Sequence, residues 1–351
     1  VLNGNVTTSG AQTYNDAVIL NADGTLTSTG GLISFASPID GAHALALDAG
    51  GTITVSGAVG GTTPLTTLTI TNSTGTTLSG NVSVGTLMLT NTTGTITING
   101  ALVAAVGMSA AANGFNLALN QGAGAQTSTV AGATVLANTG TLTLGNDAGD
   151  SITFTGGLVA TASSQKNLAG TVATTNAAMD LSGNSVVLTA NTTVSSGTGD
   201  LSLGGTVNGL YSLTVNSTGV TTFGSTVGNS AALTSLTTNG GGSTVLNGNV
   251  TTSGAQTYND AVTMNTDTSF TAGAGSLVTF GSTVQGTGVA RILAVVTANA
   301  QFGGNVSGLI ASVSVGGTTA INGAAVTTTA AAGQSYAGAV TLGADTTLTA
   351  G

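Results

Sequence analysis

The chain runs to 351 residues, of which only 4% are charged; the formal net charge is −9 and cysteine is absent. Without cysteine there are neither disulfides nor thiolate metal ligands, and the negative balance speaks against a nucleic-acid partner. A single histidine, one lysine (Lys166), one arginine (Arg291) and no glutamate leave little for acid–base catalysis.

In chain order, residues 1–18, VLNGNVTTSGAQTYNDAV, come first, and they return unchanged at 245–262. The chain is therefore an internal repeat array, and such arrays stack in one dimension rather than folding round one cleft. The stretch Ile39–Thr69 aligns without gaps to Val207–Thr237. The pair Gln12 and Tyr14 recurs as Gln256 and Tyr258 and again as Gln334 and Tyr336, so one module is about the distance from Gln256 to Gln334. Inside each module a shorter unit repeats: an apolar residue, a spacer, Gly, a spacer, a second apolar residue. It reads LNGNV from Leu2, VSGAV from Val55, LSGNV from Leu78, INGAL from Ile98, FTGGL from Phe154 and LGGTV from Leu203. LNGNV from Leu246 and FGGNV from Phe302 follow, with Ser-for-Gly variants at Phe223 and Phe280 and INGAA from Ile321. Close neighbours lie 19 residues apart (Phe302 to Ile321) to 23 residues apart (Val55 to Leu78). A unit of about 20 residues is the size of one coil of a β-solenoid.

The runs Thr52-Ile-Thr-Val55, Thr95-Ile-Thr-Ile98 and Thr141-Leu-Thr-Leu144 alternate Thr with aliphatics. That period of two turns the aliphatics to one side and Thr to the other, as in a half-buried strand. Gly, Asn, Asp and Ser between the runs supply turns. The Ala-rich stretch from Ala101 to Ala112 comes closest to a helix, but Gly107 interrupts it. The low charge fits a parallel stack. Equivalent positions of successive coils sit about 4.8 Å apart, so a repeated charge would become a ladder of like charges, each pair costing about 1 kcal/mol even in water. Thr, Ser and Asn in the same places would hydrogen-bond along the stack instead.

These features predict an all-β chain: a parallel β-helix of coils of about 20 residues, continuous over residues 1–351 and on the order of 80 Å long. With 3% aromatics the core should be narrow and built of small aliphatics. The rival architecture is a string of immunoglobulin-like sandwiches, for which the longer module is slightly short. No apolar run reaches the roughly 18 residues of a membrane span. The sequence starts at Val1 and stops at Gly351 in mid-motif, so we expect a window of a longer protein with further repeats on both sides.

Candidate chemistry is sparse, and no catalytic, cofactor-binding or metal-binding residue is expected. His43 in GAHALAL aligns with Tyr211 and reads as a surface or turn residue; Lys166 and Arg291 read as isolated, solvated side chains. Asp147 and Asp150, with Asn146 beside them, form the one close acidic pair. Oxygen ligands at that spacing can hold Ca²⁺, but the tandem GGxGxD pattern of calcium-binding solenoids is missing, so a polar turn is the better reading. Asp16, Asp40, Asp48 and Asp260 stand at turn-like positions. Tyr14, Tyr258 and Tyr336 share one repeat position and should pack at a coil corner with the hydroxyl in water, or else form an exposed aromatic row for a sugar or partner. The glycines from Gly240 to Gly242 lack the Lys and helix of a phosphate loop. Asn-x-Ser/Thr triplets such as Asn72 to Thr74 are expected by chance in so Asn- and Thr-rich a chain.

The phrases SGAQTYNDAV, GGTITVSGAVGG, LTTLTITNSTGTT and AGAVTLGADTTLTAG resemble those of bacterial filamentous-haemagglutinin-type exoproteins and of β-strand-repeat surface proteins. The resemblance covers nearly the whole chain as a style of repeat, and no site residue carries over from it. It implies a right-handed parallel β-helix, export to the cell surface, and a role in adhesion, biofilm or surface structure. The function expected is thus an extracellular structural or adhesive rod that continues or self-associates end to end, with host-surface or polysaccharide contact. The alternative is a flat Thr-rich face that binds ice or polysaccharide, against which the uneven coil lengths count, because a lattice needs a regular array. An enzyme on a β-helix is not expected.

Overall fold

The computed structural model describes residues 1–239, 241–330 and 333–351. Among them there is no helix: the chain winds as a parallel β-solenoid of about 16 turns with a repeat spacing of about 21 residues. Each strand pairs in parallel with one a full coil away, as when Ile33–Phe35 pairs with Ile53–Val55. The immunoglobulin-like rival is excluded, since that fold is built from antiparallel sheets. The Ala-rich stretch is no helix either; Leu102–Ala110 is a strand whose neighbours on both sides are parallel. Two compact units are distinguished, Val1–Ala177 and Ala178–Gly351.

In the first unit the period-two pattern does what the sequence implies. Phe35, Val55, Leu78, Ile98, Leu119, Leu144 and Leu168 succeed one another at one register position, and every one of them is buried. The second inward column runs through Ile53, Thr76, Ile96, Leu117 and Leu142 and then meets Lys166. Lys166 is wholly buried, not solvated. The alternation itself puts it there: Lys166 and Leu168 share the phase of Leu142 and Leu144, so both point inward. Its four-carbon stem fills the place a leucine holds in the coil before.

In the second unit the inward column is aromatic. Tyr258, Phe280 and Phe302 occupy one register position. Tyr258 and Phe280 stack at 5.4 Å and 11°, Phe280 and Phe302 at 5.4 Å and 3°, and Phe270 meets Tyr258 edge-on at 5.5 Å and 80°. All seven phenylalanines of the chain are buried. The core is thus mainly aliphatic, with Phe115, Phe154 and Phe223 set singly among the aliphatics and the rings around Tyr258 gathered into a stacked row. Such contacts are worth about 0.5–1.5 kcal/mol each beyond burial.

The corners repeat as faithfully as the strands. In the aligned segments the N–H of Gly60 donates to Ile39 O and that of Gly228 to Val207 O, both at 2.7 Å. Both glycines have positive φ, 68° and 70°. A Cβ at either would run into the backbone carbonyl of the next coil, Ser83 or Thr251, so only glycine fits.

Candidate functional site

Short amide and carboxylate side chains bind one coil to the next. The Oδ1 of Asn5 accepts the N–H of Thr25, Asn81 that of Ala101, Asn249 that of Ser269 and Asn305 that of Ala325, at 2.8 to 3.1 Å. Each of these acceptors lies 20 residues before its donor. All four are the Asn of an apolar-x-Gly-Asn-apolar unit. Aspartates do the same: Asp23 accepts from Ala44, Asp40 from Thr62 and Thr63, Asp200 from Val220 and Asp267 from Ile292. The side chain must reach a neighbour a single strand spacing away, about 4.8 Å. A longer Glu would lose more rotamer freedom in the same bond, which favours the short acid in a chain whose acids are all aspartate.

The titratable candidates belong to this scaffolding. His43 Nδ1 stands 3.3 Å from Asp23 Oδ1, with relative exposures of 37% and 75%. The Asp23 carboxyl is held below the usual carboxylate range, chiefly by the Ala44 N–H and further by His43. Asp23 borders an open depression with Asn5, Thr25 and Ala46. His43 holds a surface position, as expected, though with a partner that the sequence did not reveal. Arg291 is half-buried and its Nε donates to Thr287 O at 3.1 Å, so it is tied to its own strand's bulge.

Asp147 and Asp150 do form a polar turn. The Asp150 carboxylate is buried and accepts the N–H groups of Gln126, Asn146 and Asp147, while Asp147 Oδ1 accepts that of Gly149. Among the described residues no three His, Cys, Asp or Glu side chains come together as metal ligands would. Asp16 lies in an exposed bend. Asp260 is buried and accepts the N–H groups of Gly241 and Gly242 in the preceding coil. Asp48, read as a turn former, lies within the strand Ala44–Ala49 and pairs there with Thr27 and Asn72. Of the glycine run from 240 to 242, Gly240 lies outside the described residues.

The tyrosine rings pack as the first reading expects, Tyr14 on Phe35 and Tyr258 on Phe280, but their hydroxyls turn to the chain rather than to water, and the outward aromatic row is overturned. Each hydroxyl donates to the Gln two residues before it: Tyr14 to Gln12 and Tyr258 to Gln256 at 3.0 Å, Tyr336 to Gln334 at 2.9 Å. Each Gln Nε2 in turn donates across the coil corner, to Val6 O and Thr27 O for Gln12 and to Val326 O and Thr349 O for Gln334. The motif is a clamp facing inward, not an aromatic row facing out. Burial pushes all three phenols above their ordinary pKa, Tyr258 most strongly.

What faces outward is hydroxyl. In the first unit Ser34, Thr54, Thr77 and Thr97 share one register position, and Thr54 donates to Ser34 at 3.2 Å. In the second unit Thr193, Thr214, Thr237, Thr257 and Thr279 form an unbroken column over five successive coils. Among the described residues none of these five hydroxyls has a hydrogen-bond partner within the chain. Uneven coil length does not disturb the column, because the extra residues go into the corners between strands. Register within a strand is fixed by its buried face.

No helix among the described residues is long and apolar enough to cross a membrane. Compared with family models, with curated proteins and with solved structures, the chain matches none.

Proposed function

We propose that this chain is a stretch of an extracellular structural or adhesive repeat protein of the filamentous-haemagglutinin kind, serving as a stiff spacer at a cell surface. The observation that carries the reading is what the fold spends its residues on. Polar side chains near the corners tie coil to coil, the phenylalanines lie inside, and most of the aspartates described above serve turns and coil-to-coil bonds. Such a fold transmits position and offers long regular faces.

End-to-end association is part of the proposal. A parallel β-solenoid pairs its backbone along the stack, so further coils, of one chain or of another copy, can extend it by the same hydrogen bonds.

The test is antibody labelling of intact producing cells against residues 1–351, with electron microscopy of the purified protein. The expected result is labelling without lysis and particles that extend lengthwise. An antigen reached only after lysis would overturn the surface role, and short monodisperse particles of the natural full-length protein would overturn the lengthwise association.

A further inference from the structure

We propose that the threonine column of the second unit is a binding track for an extended, neutral polysaccharide chain, an inference that rests on the surface role above and gives it a ligand. Thr193, Thr214, Thr237, Thr257 and Thr279 present one hydroxyl per coil in strict register. Their spacing is that of adjacent strands, about 4.8 Å, close to the advance per ring of an extended β-linked glycan. Each hydroxyl can both donate and accept, and none is used within the chain among the described residues. The threonines elsewhere that stand at corners differ: Thr252 donates to Gly254 O, Thr268 to Thr266 O and Thr346 to Gly323 O. This column is therefore an unbroken set of five with its capacity left for something outside the chain, whereas the first unit's column has three successive threonines, one of which is bonded to Ser34.

Charge and shape narrow the ligand. The outward positions of the strand Ser212–Ser217 are Ser212, Thr214 and Asn216, matched in the next coil by Ser235, Thr237 and Asn239. This face has amides and hydroxyls and no ionic group, on a chain whose net charge is −9. An anionic glycan would be repelled overall and find no cation here; a neutral one meets complementary donors and acceptors. The threonines make a single row, flanked by a mixture of serine, asparagine, alanine, leucine and glycine rather than by a second row of threonine. A row suits a linear chain lying along the stack. A crystal plane such as ice needs a two-dimensional match, which the flanking columns do not supply. Individual hydrogen bonds to sugar hydroxyls are weak in water, so affinity must come from several coils acting on one polymer.

The test uses the full chain in affinity electrophoresis through soluble mixed-linkage β-glucan and in pull-down on cellulose and on chitin, with alginate as the anionic comparator. The triple variant T214V/T237V/T257V removes three hydroxyls and keeps β-branched side chains that suit a strand; circular dichroism and melting check its fold. The matching variant T54V/T77V/T97V alters the first unit's column and serves as control. The expected result is retardation or capture by at least one neutral glycan, weakened on the order of tenfold or more by the first variant and unchanged by the second. Should the triple variant not fold, T237R alone, which sets a bulky cation on the track, should abolish binding. The proposal is overturned by absence of binding to every neutral glycan, by equal binding of the altered column, by equal retardation in alginate, or by thermal hysteresis that the altered column loses. Labelled, lengthwise particles without glycan binding would sink this inference alone and leave the scaffold role standing.

Discussion

Residues 1–18 and 245–262 have one sequence and two environments. Their hydrogen bonds agree closely: Gln12 Nε2 reaches Val6 O, Thr8 Oγ1 and Thr27 O, and Gln256 Nε2 reaches Val250 O, Thr252 Oγ1 and Thr271 O. Their burial does not agree. Tyr258 has no exposed surface, whereas Tyr14 is half-buried. The second copy is paired on both sides, for Ser243–Leu246 lies between Val220–Phe223 and Ala261–Met264. The first is paired with the coil that follows, through Val6–Thr8 to Gly24–Ser28. The eighteen residues thus encode the corner clamp, while the neighbouring coils decide how much that clamp is worth. This is the nearest-neighbour energetics expected of a solenoid.

The comparison breaks first at the tyrosines. Tyr258→Ala empties a fully buried site against two rings, Phe270 and Phe280, and should cost about 3–5 kcal/mol. Tyr14→Ala removes a ring stacked on Phe35 alone, at 4.8 Å, and should cost less than half as much. Because a repeat array need not unfold in one step, the measurement is hydrogen exchange of the amides that follow in the next coil, Val278–Phe280 for the second copy and Ile33–Phe35 for the first. Equal losses of protection would show that neighbours matter less than the clamp itself.

Alkali tests the same pair through charge. Burial raises the phenol pKa of both, more so at Tyr258. A group whose pKa is higher in the folded state contributes stability that is complete below its unfolded value, near 10, and is lost as pH climbs through the folded value. Stability should therefore fall above about pH 10, and fall less steeply in Tyr258→Phe than in Tyr14→Phe. Tyrosinate absorbance in the two variants reads it directly: the last phenol to ionise should vanish with Tyr258. If Tyr14 titrates last, the burial argument is wrong.

The difference between the copies also marks how far the sequence could be read. Coil size, parallel stacking and the inward aliphatics were legible because each follows from a local period, as at Thr95–Ile98 and Thr141–Leu144. Lys166 was misread because charge was weighed alone; its phase with Leu168 was the signal that it points inward. The tyrosine hydroxyls were misplaced for a related reason. The Gln two positions earlier shares the inward phase of its Tyr and is the nearest acceptor, a pairing that the fixed spacing at 12, 256 and 334 could have suggested. Asp40 and Asp260 read as turn formers in the sequence because their acceptor role spans a whole coil, and no local pattern shows which N–H stands beside them. The unspent threonine column was hidden by the uneven spacing between coils, which looked like disorder in the array and is absorbed at the corners.

A last, smaller effect should ignore the comparison altogether. Asn5 and Asn249 hold equivalent places in the two copies, and each accepts an N–H from the coil that follows, Thr25 at 2.8 Å and Ser269 at 2.9 Å. Both bonds are solvent-exposed, so water replaces part of what is lost, and Asn→Ala at either should cost about 0.5–1 kcal/mol. In both copies the side-chain bond runs to the coil that follows; the contact of Asn249 with the preceding coil is a backbone one, Val227 N–H to Asn249 O at 2.9 Å, which the substitution leaves in place. Thermal or exchange measurements should thus give the same loss for Asn5→Ala and Asn249→Ala even though the tyrosines Tyr14 and Tyr258 diverge. A larger loss at Asn249 would mean that a preceding coil stiffens bonds it does not make, and the nearest-neighbour account would have to yield to longer-range cooperativity along the stack.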